Sequence, residues 1–304
     1  MYYTPMTDMK LRIHNGTRPI IEAVKFITFP SGETMPYLTD PILLAISVSK
    51  RVQIVKPINS GNDLLEIAMV VDAIREADKN IKIELLASYI MGARQDRVCD
   101  EGQPLSARVI ARMLNGLKLH RVATVTPHSD VLPALIDNCE SFDITSSLVS
   151  EIIEKIDFSN NGNGKVYLVA PDAGATKRTL TALKEIREDF EFVDVEFLQG
   201  SKQRDPKTGK LSGFDVAIDK FHHDDVIIVT DDVCGYGGTF VGLANVLQDR
   251  GADPSQLHLT VAHADCIEGL RKVAGIYEGG VYTTTQLPEH DGFDRNIFVI
   301  NIDE

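Results

Sequence analysis

Short apolar runs alternate with stretches of helical periodicity along most of the chain. "RVQIVKP" (51–57) predicts a strand, and "NDLLEIAMVVDAIREA" (62–77) a helix with Leu64, Leu65, Ala68, Val71 and Ile74 on one face. "IKIELLASYI" predicts the next strand. "PLSARVIARMLNGL" (104–117) predicts a helix that opens at a Pro and closes near Gly116, and "HRVATVTPH" returns as a strand. This β-α-β-α-β order is the pattern of a mostly parallel sheet.

The second half repeats the scheme. "KVYLVAPD" (165–172), "FVDVEFL", "DVIIVTDD" and "QLHLTVAHA" read as strands. "ATKRTLTALKEIRE" and "GTFVGLANVLQDRG", the latter ending at Gly251, read as helices. The polar loop "SNNGNG" (159–164) marks the break before the second set. The expectation is an α/β chain of two similar domains with mostly parallel sheets, 1–145 and 146–304.

Composition narrows the function classes. The 304 residues, 43% of them hydrophobic, suffice for two ordinary cores. A net charge of −13 argues against broad nucleic-acid binding, which needs a basic face. Any anionic substrate then needs basic residues concentrated locally. Cys99, Cys139, Cys234 and Cys266 are widely spaced, so they read as reduced thiols of a cytoplasmic protein. "MYYTPMTDMK" has no signal-peptide character, and no apolar run approaches the roughly 20 residues of a membrane span. No membrane partner is expected.

Chemistry gathers at predicted strand ends, where open α/β sheets bind ligands. Three polar clusters lie there: "PHSD" (127–130), "PDAG" (171–174) and "DDVCGYGGT" (231–239). In the last, glycines let the backbone approach a phosphate, and the following helix N-terminus adds a favourable dipole. Asp231 and Asp232 would repel that phosphate, but they suit sugar hydroxyls or a hydrated Mg²⁺ nearby. A sugar phosphate satisfies both halves of the motif. A Walker A loop is excluded because "GYGGTFVG" has no Lys.

The "DDVCGYGGT" loop resembles the ribose-phosphate loop of phosphoribosyltransferases. The stretch 88–130, "SYIMGARQDRVCDEGQPLSARVIARMLNGLKLHRVATVTPHSD", resembles the ribose-phosphate pyrophosphokinase (PRPP synthetase) family. "FPSGE" (29–33), "VAPDAG" and "GSKQRD" follow in the family's order and spacing. Taken singly, an Arg-Gln-Asp-Arg run, a strand-end His or a charged "SKQRDPKTGK" segment is an ordinary surface feature. Their order is what carries the resemblance.

The resemblance implies phosphoribosyltransferase-like domains, the N-terminal one on the ATP side and the C-terminal one carrying the ribose-phosphate loop. It implies an ATP site at Ser31, Glu33, Arg94, Gln95 and Asp96, with Glu33 supplied by a neighbouring subunit of a homo-oligomer, dimer or higher. His128 and Asp172 match Mg²⁺-associated positions, and Lys202 and Arg204 the basic pair of a flexible catalytic loop. Asp231 and Asp232 match the acids for the ribose hydroxyls. Gly235, Tyr236, Gly237, Gly238 and Thr239 match the 5-phosphate loop. His222, His223, His258 and His290 match no functional position, and His263 resembles a strand-end His of uncertain role.

Several departures change the picture. The family loop usually reads D-D-x-x-D-T-[GA]-G-T, whereas Gly235 and Tyr236 stand here for the Asp and the first Thr. An aromatic face and a lost carboxylate suit a 5-phosphate that carries a further group. ADP-ribose is such an acceptor, used by a diverged phage branch of the family associated with NAD⁺ restoration; free ribose 5-phosphate is the alternative. Ser31 replaces the usual Asp of the adenine segment. The N-terminal region is short and the chain stops at "FVINIDE" without the usual final helix, which weighs against family-type allostery and hexamer geometry. A non-catalytic regulatory homologue would have lost Lys202, Arg204, His128 or Asp172. A transferase that displaces pyrophosphate with a base does not account for "ARQDR".

Overall fold

The structure, a computed structural model, describes residues 9–16, 18–156, 158, 164–204, 211–285 and 296–300, with backbone alone for 202–204 and 211–212. The described residues divide into two compact units, one running to Phe142 and the other from Asp143. The division therefore falls ahead of the helix Thr145–Ile153, whose Leu148, Val149, Ile152 and Ile153 join a core of the second unit. The loop at 159–164 is not the boundary, and residues 159–163 lie outside the described residues.

The N-terminal unit is built on a six-stranded sheet. Its strands are β1 (Lys10–His14), β2 (Ile20–Ala23), β5 (Arg51–Val55), β6 (Lys82–Ala87), β7 (Arg121–Val125) and β8 (Cys139–Phe142), in the order β2-β1-β5-β6-β7-β8. β5 to β8 are parallel, and β1 is antiparallel to β2 and β5. A separate antiparallel hairpin pairs β3 (Lys25–Thr28) with β4 (Thr34–Tyr37). The helices are α1 (Asp40–Ser47), α2 (Gly61–Ala77), α3 (Ser106–Gly116) and α4 (Val131–Leu135). On α2 the buried face comprises Leu64, Ile67, Val70, Val71 and Ile74, while Leu65 is 56% exposed. Leu65 sits one residue, about 100°, from Leu64, so the buried stripe excludes it.

The C-terminal unit holds a seven-stranded sheet in the order β11-β10-β9-β12-β13-β14-β15. These strands are β9 (Val166–Ala170), β10 (Val195–Arg204), β11 (Leu211–Val216), β12 (Val226–Cys234), β13 (Leu257–Ala264), β14 (Gly280–Thr283) and β15 (Ile297–Val299). All pairs are parallel except β10–β11. Helices α5 (Thr145–Ile153), α6 (Thr176–Asp189), α7 (Gly238–Asp249) and α8 (Ile267–Ala274) complete it. β9 is buried at every position, as expected for a parallel strand covered on both faces. From β9 the chain moves to β10 on one side and returns to β12 on the other. This reversal is a topological switch point, and the crevice beyond the carboxyl ends of β9 and β12 is where such sheets place ligands.

Candidate active site

Beyond β9 lies the "PDAG" turn and at the end of β12 the Asp231–Asp232 pair. Asp172 Oδ1 accepts from the N–H groups of Gly174 (2.8 Å) and Ala175 (3.3 Å), so its carboxylate forms the turn that starts α6. Asp232 is buried, and its N–H donates to Asp231 Oδ1 at 2.9 Å. Burial, then the Asp232 charge, push the Asp231 carboxyl well above the ordinary carboxylate range; Asp172 adds to the effect from the neighbouring strand end. Three expected site residues from two strand ends thus share one electrostatic environment.

The cation that answers them is Arg178, which sequence reasoning passed over. Its Nη1 stands 3.1 Å from Asp232 Oδ1 and 3.9 Å from Asp231 Oδ1, and its Nε 3.3 Å from Asp143 Oδ2. Arg178 lies in the first turn of α6, which is tied to β12 by the buried Thr179–Thr230 hydroxyl pair (2.7 Å). The signal was an Arg a few residues after a strand-end Asp. In sequence it reads as the polar face of an amphipathic helix, and only the adjacency of β9 and β12 shows what it meets.

The glycine-rich loop follows directly. Gly237 adopts φ 75° as the N-cap of α7, and no side chain caps that helix. The dipole of this helix N-terminus favours an anion. A side chain at Gly237 is barred twice, by the positive φ and by Val273 Cγ1 at 2.7 Å from its Cβ position. Gly269 of α8 packs against the carbonyl of Gly235 so closely that a Cβ there would collide with it. Tyr236 is 71% exposed. Thr239 opens α7. The loop is fixed in backbone and presents one aromatic ring outward.

The expected loop residues Lys202 and Arg204 lie on the backbone of β10, where Arg204 pairs with Leu211 of β11. Residues 205–210 of "SKQRDPKTGK" lie outside the described residues.

In the N-terminal unit, Ser31, Glu33, Arg94, Gln95 and His128 are exposed and Asp96 is half-buried. Ser31 Oγ donates to Glu33 Oε2 (2.9 Å) at the turn of the β3–β4 hairpin, where Gly32 takes φ 87°. The Gln95 carbonyl accepts from Ala107 N–H at 3.2 Å, and its side-chain oxygen accepts from Ser106 Oγ, so "ARQDR" is docked on the start of α3. His128 follows Thr126, a buried non-glycine residue at φ 41° whose N–H donates to the Phe142 carbonyl at 2.7 Å. Such a backbone persists only where the surroundings hold it, and it is common at ligand sites.

All four cysteines are free, and burial raises the thiols of Cys139 and Cys234 to about 11 and about 12, leaving both neutral. His258 is buried and its pKa is lowered to about 4 by desolvation. His263 is buried at the end of β13, and His290 lies outside the described residues. Among the described residues no helix is long and apolar enough to cross a membrane.

No protein-family model matches the chain. It is 26% identical over 307 residues to the ribose-phosphate pyrophosphokinase of Hyphomonas neptunium, covering 97% of this chain and 93% of that one. It is 28% identical over 256 residues to the enzyme of the same name from Methanosarcina acetivorans (82% and 77%), and 26% over 269 residues to that from Sulfolobus acidocaldarius (86% and 83%). The fold superposes on the phosphoribosylpyrophosphate synthetase of Mycobacterium smegmatis with a TM-score of 0.69 at 21% identity, over 92% of this chain and 86% of the other. That likeness establishes a phosphoribosyltransferase-type fold.

Proposed function

The chain belongs to the ribose-phosphate pyrophosphokinase family, and from that premise we propose that it moves the β,γ-pyrophosphate of ATP, as a unit, to the anomeric hydroxyl of a ribose 5-phosphate moiety. The observation that carries this reading is the strand-end pair Asp231 and Asp232 facing Arg178, with Asp172 in electrostatic reach of Asp231, beside a rigid glycine loop at a topological switch point.

The anomeric oxygen attacks the β-phosphorus in line, the bond from that phosphorus to the α,β-bridging oxygen breaks, and AMP leaves while the hydroxyl proton is lost. Catalysis of this kind rests on positioning and neutralisation of charge. Asp231 and Asp232 accept hydrogen bonds from the ribose hydroxyls. Gly235 to Thr239 hold the 5-phosphate with backbone N–H groups and the Thr hydroxyl. Ser31, Glu33, Arg94, Gln95 and Asp96 hold ATP, Glu33 being supplied by a second copy of the chain. Lys202 and Arg204 stabilise charge on the transferring phosphates, Arg as a fork and Lys as a point charge. The donor set suits Mg²⁺, which takes carboxylate oxygens such as those of Asp172, Asp231 and Asp232; in the N-terminal unit, His128 is the other Mg²⁺-associated position that the resemblance implies. When bound, Mg²⁺ supplies neutralisation of phosphate charge. Such an enzyme works in the cytoplasm.

The acceptor favoured is ADP-ribose, because Gly235 removes a carboxylate and the exposed Tyr236 ring offers a stacking face for a base. The test is AMP release from Mg·ATP with ADP-ribose or ribose 5-phosphate offered separately. kcat/KM should favour ADP-ribose by roughly three- to twelve-fold, the worth of one aromatic stack. Gly235→Asp with Tyr236→Thr should erode that preference; Gly235 has no positive φ, so an Asp is compatible with the backbone there. Activity on ribose 5-phosphate alone would leave the pyrophosphokinase reading standing and remove ADP-ribose. Lys202→Ala and Arg204→Ala should each lower kcat about 10²–10³-fold with little change in KM.

A further inference from the structure

Ahead of β12 the chain makes a tight turn, His222–Asp225, for which the reaction above has no use. We propose that His222, His223 and Asp224 form a site for a borderline divalent transition metal of the zinc class, with solvent completing the coordination. Asp224 Oδ2 lies 3.6 Å from His222 Nδ1 and 3.3 Å from His223 Nε2, and all three ligand atoms fall within 4.8 Å of one another. A tetrahedral ion with bonds of about 2.0–2.1 Å separates its ligands by roughly 3.3–3.4 Å. The two measured edges are close to that spacing before any ion is present. Two imidazoles and one carboxylate are a set that favours zinc-like ions over Mg²⁺, which takes oxygen ligands.

The turn is held from several directions, as a preorganised site requires. His222 N–H donates to Asp225 Oδ2 at 2.7 Å, and the Lys165 N–H to Asp225 Oδ1 at 2.9 Å. The buried Gln256 amide donates to the carbonyls of both His222 (2.8 Å) and Asp225 (2.7 Å). Gly164 packs on the Asp224 backbone with no room for a Cβ. The two imidazole rings, 4.1 Å apart, stay exposed above this base. His222 Nδ1 accepts a long 3.4 Å contact from Asp224 N–H, which an ion bound to that lone pair would displace. The turn lies at the start of β12 and the acid pair near its end, roughly 20 Å apart at the rise of a strand. The metal is therefore separate from the phosphate chemistry and acts by bracing the turn.

The test titrates the full chain, free of any His tag, with Co²⁺ as a visible-absorption probe and with Zn²⁺ by calorimetry, both with Mg²⁺ in excess to occupy oxygen-ligand sites. One equivalent should bind with tetrahedral d–d bands, and Zn²⁺ should raise the melting temperature. His222→Ala and His223→Ala should each weaken binding by more than tenfold, since even groups behind the ligands cost about 10–100-fold. Both should abolish the melting shift while leaving Mg²⁺-dependent AMP formation unchanged. Asp224→Asn, which keeps the shape of the side chain, should weaken binding similarly. If wild type and the His variants bind Co²⁺ alike, or wild type gains no melting shift, the site does not exist. Neither readout depends on the proposed reaction.

Discussion

Among the described residues each unit sets a largely buried cation among carboxylates, Lys56 in the N-terminal unit and Arg178 in the C-terminal one, and the two clusters are built to different ends. In the N-terminal unit, Lys56 Nζ stands 3.1 Å from Asp63 Oδ1 and 3.4 Å from Glu66 Oε2. Those acids are already served. Asp63 Oδ2 accepts from the N–H groups of Asn59 and Ser60 and from the Ser60 hydroxyl, in a capping box that starts α2. Glu66 Oε1 accepts from Asn62 Nδ2 and Thr34 Oγ1. In the C-terminal unit, Arg178 faces Asp231 and Asp232 with Asp172 in electrostatic reach, and Asp231 holds its proton far above the ordinary range. The first cluster is a closed hydrogen-bonded network that supports a helix. The second crowds carboxylates so closely that Asp231 is driven above its ordinary range, which suits a ligand that brings hydroxyls or positive charge.

The largest expected effect comes from opening the closed cluster. Lys56→Met leaves two buried carboxylates fixed by donors to their charged form, and should cost about 3–5 kcal/mol of stability in urea unfolding. A loss below about 1 kcal/mol would mean that the network contributes little. Arg178→Met should cost less, about 1–3 kcal/mol, because Asp231 or Asp232 can take up a proton and limit the penalty. Arg178→Lys should recover part of it. Equal losses at the two sites would erase the distinction between them.

A subtler effect concerns pH. The folded-state pKa of Asp231 is raised, so its contribution to stability is fully present below the unfolded value and is lost as pH rises through the folded one. Asp231→Asn should therefore raise the melting temperature of the ligand-free protein at neutral pH, and the gain should vanish near pH ~4, where the unfolded carboxyl is itself protonated. Wild type and variant melting alike at neutral pH would show that Asp231 is not the strained member of the pair.

Much of this scaffold was legible in the sequence. The parallel strands β5, β6, β7, β9, β12 and β13 and the helices α2, α3, α6 and α7 announced themselves by apolar runs and 3.6-residue periodicity, and Gly251 ends α7 at φ 89°. The short pieces β1 to β4, β11, β14 and β15 did not, because three to six residues carry too little alternation to stand out. At the site, Asp172, Asp231, Asp232 and the glycine loop could be named because strand ends and turn chemistry are local properties. Arg178 could not, because its partners come from the next strand over and from Asp143, before α5.

The central claim is that pyrophosphate moves intact, and ³¹P NMR of the products tests it most directly. With Mg·ATP and an acceptor bearing a free anomeric hydroxyl, the account predicts AMP and a new diphosphoryl signal on the acceptor's C1 in equal amounts, both absent when acceptor or Mg²⁺ is withheld. Formation of ADP with a C1 monophosphate, or release of free pyrophosphate without the acceptor, would contradict it.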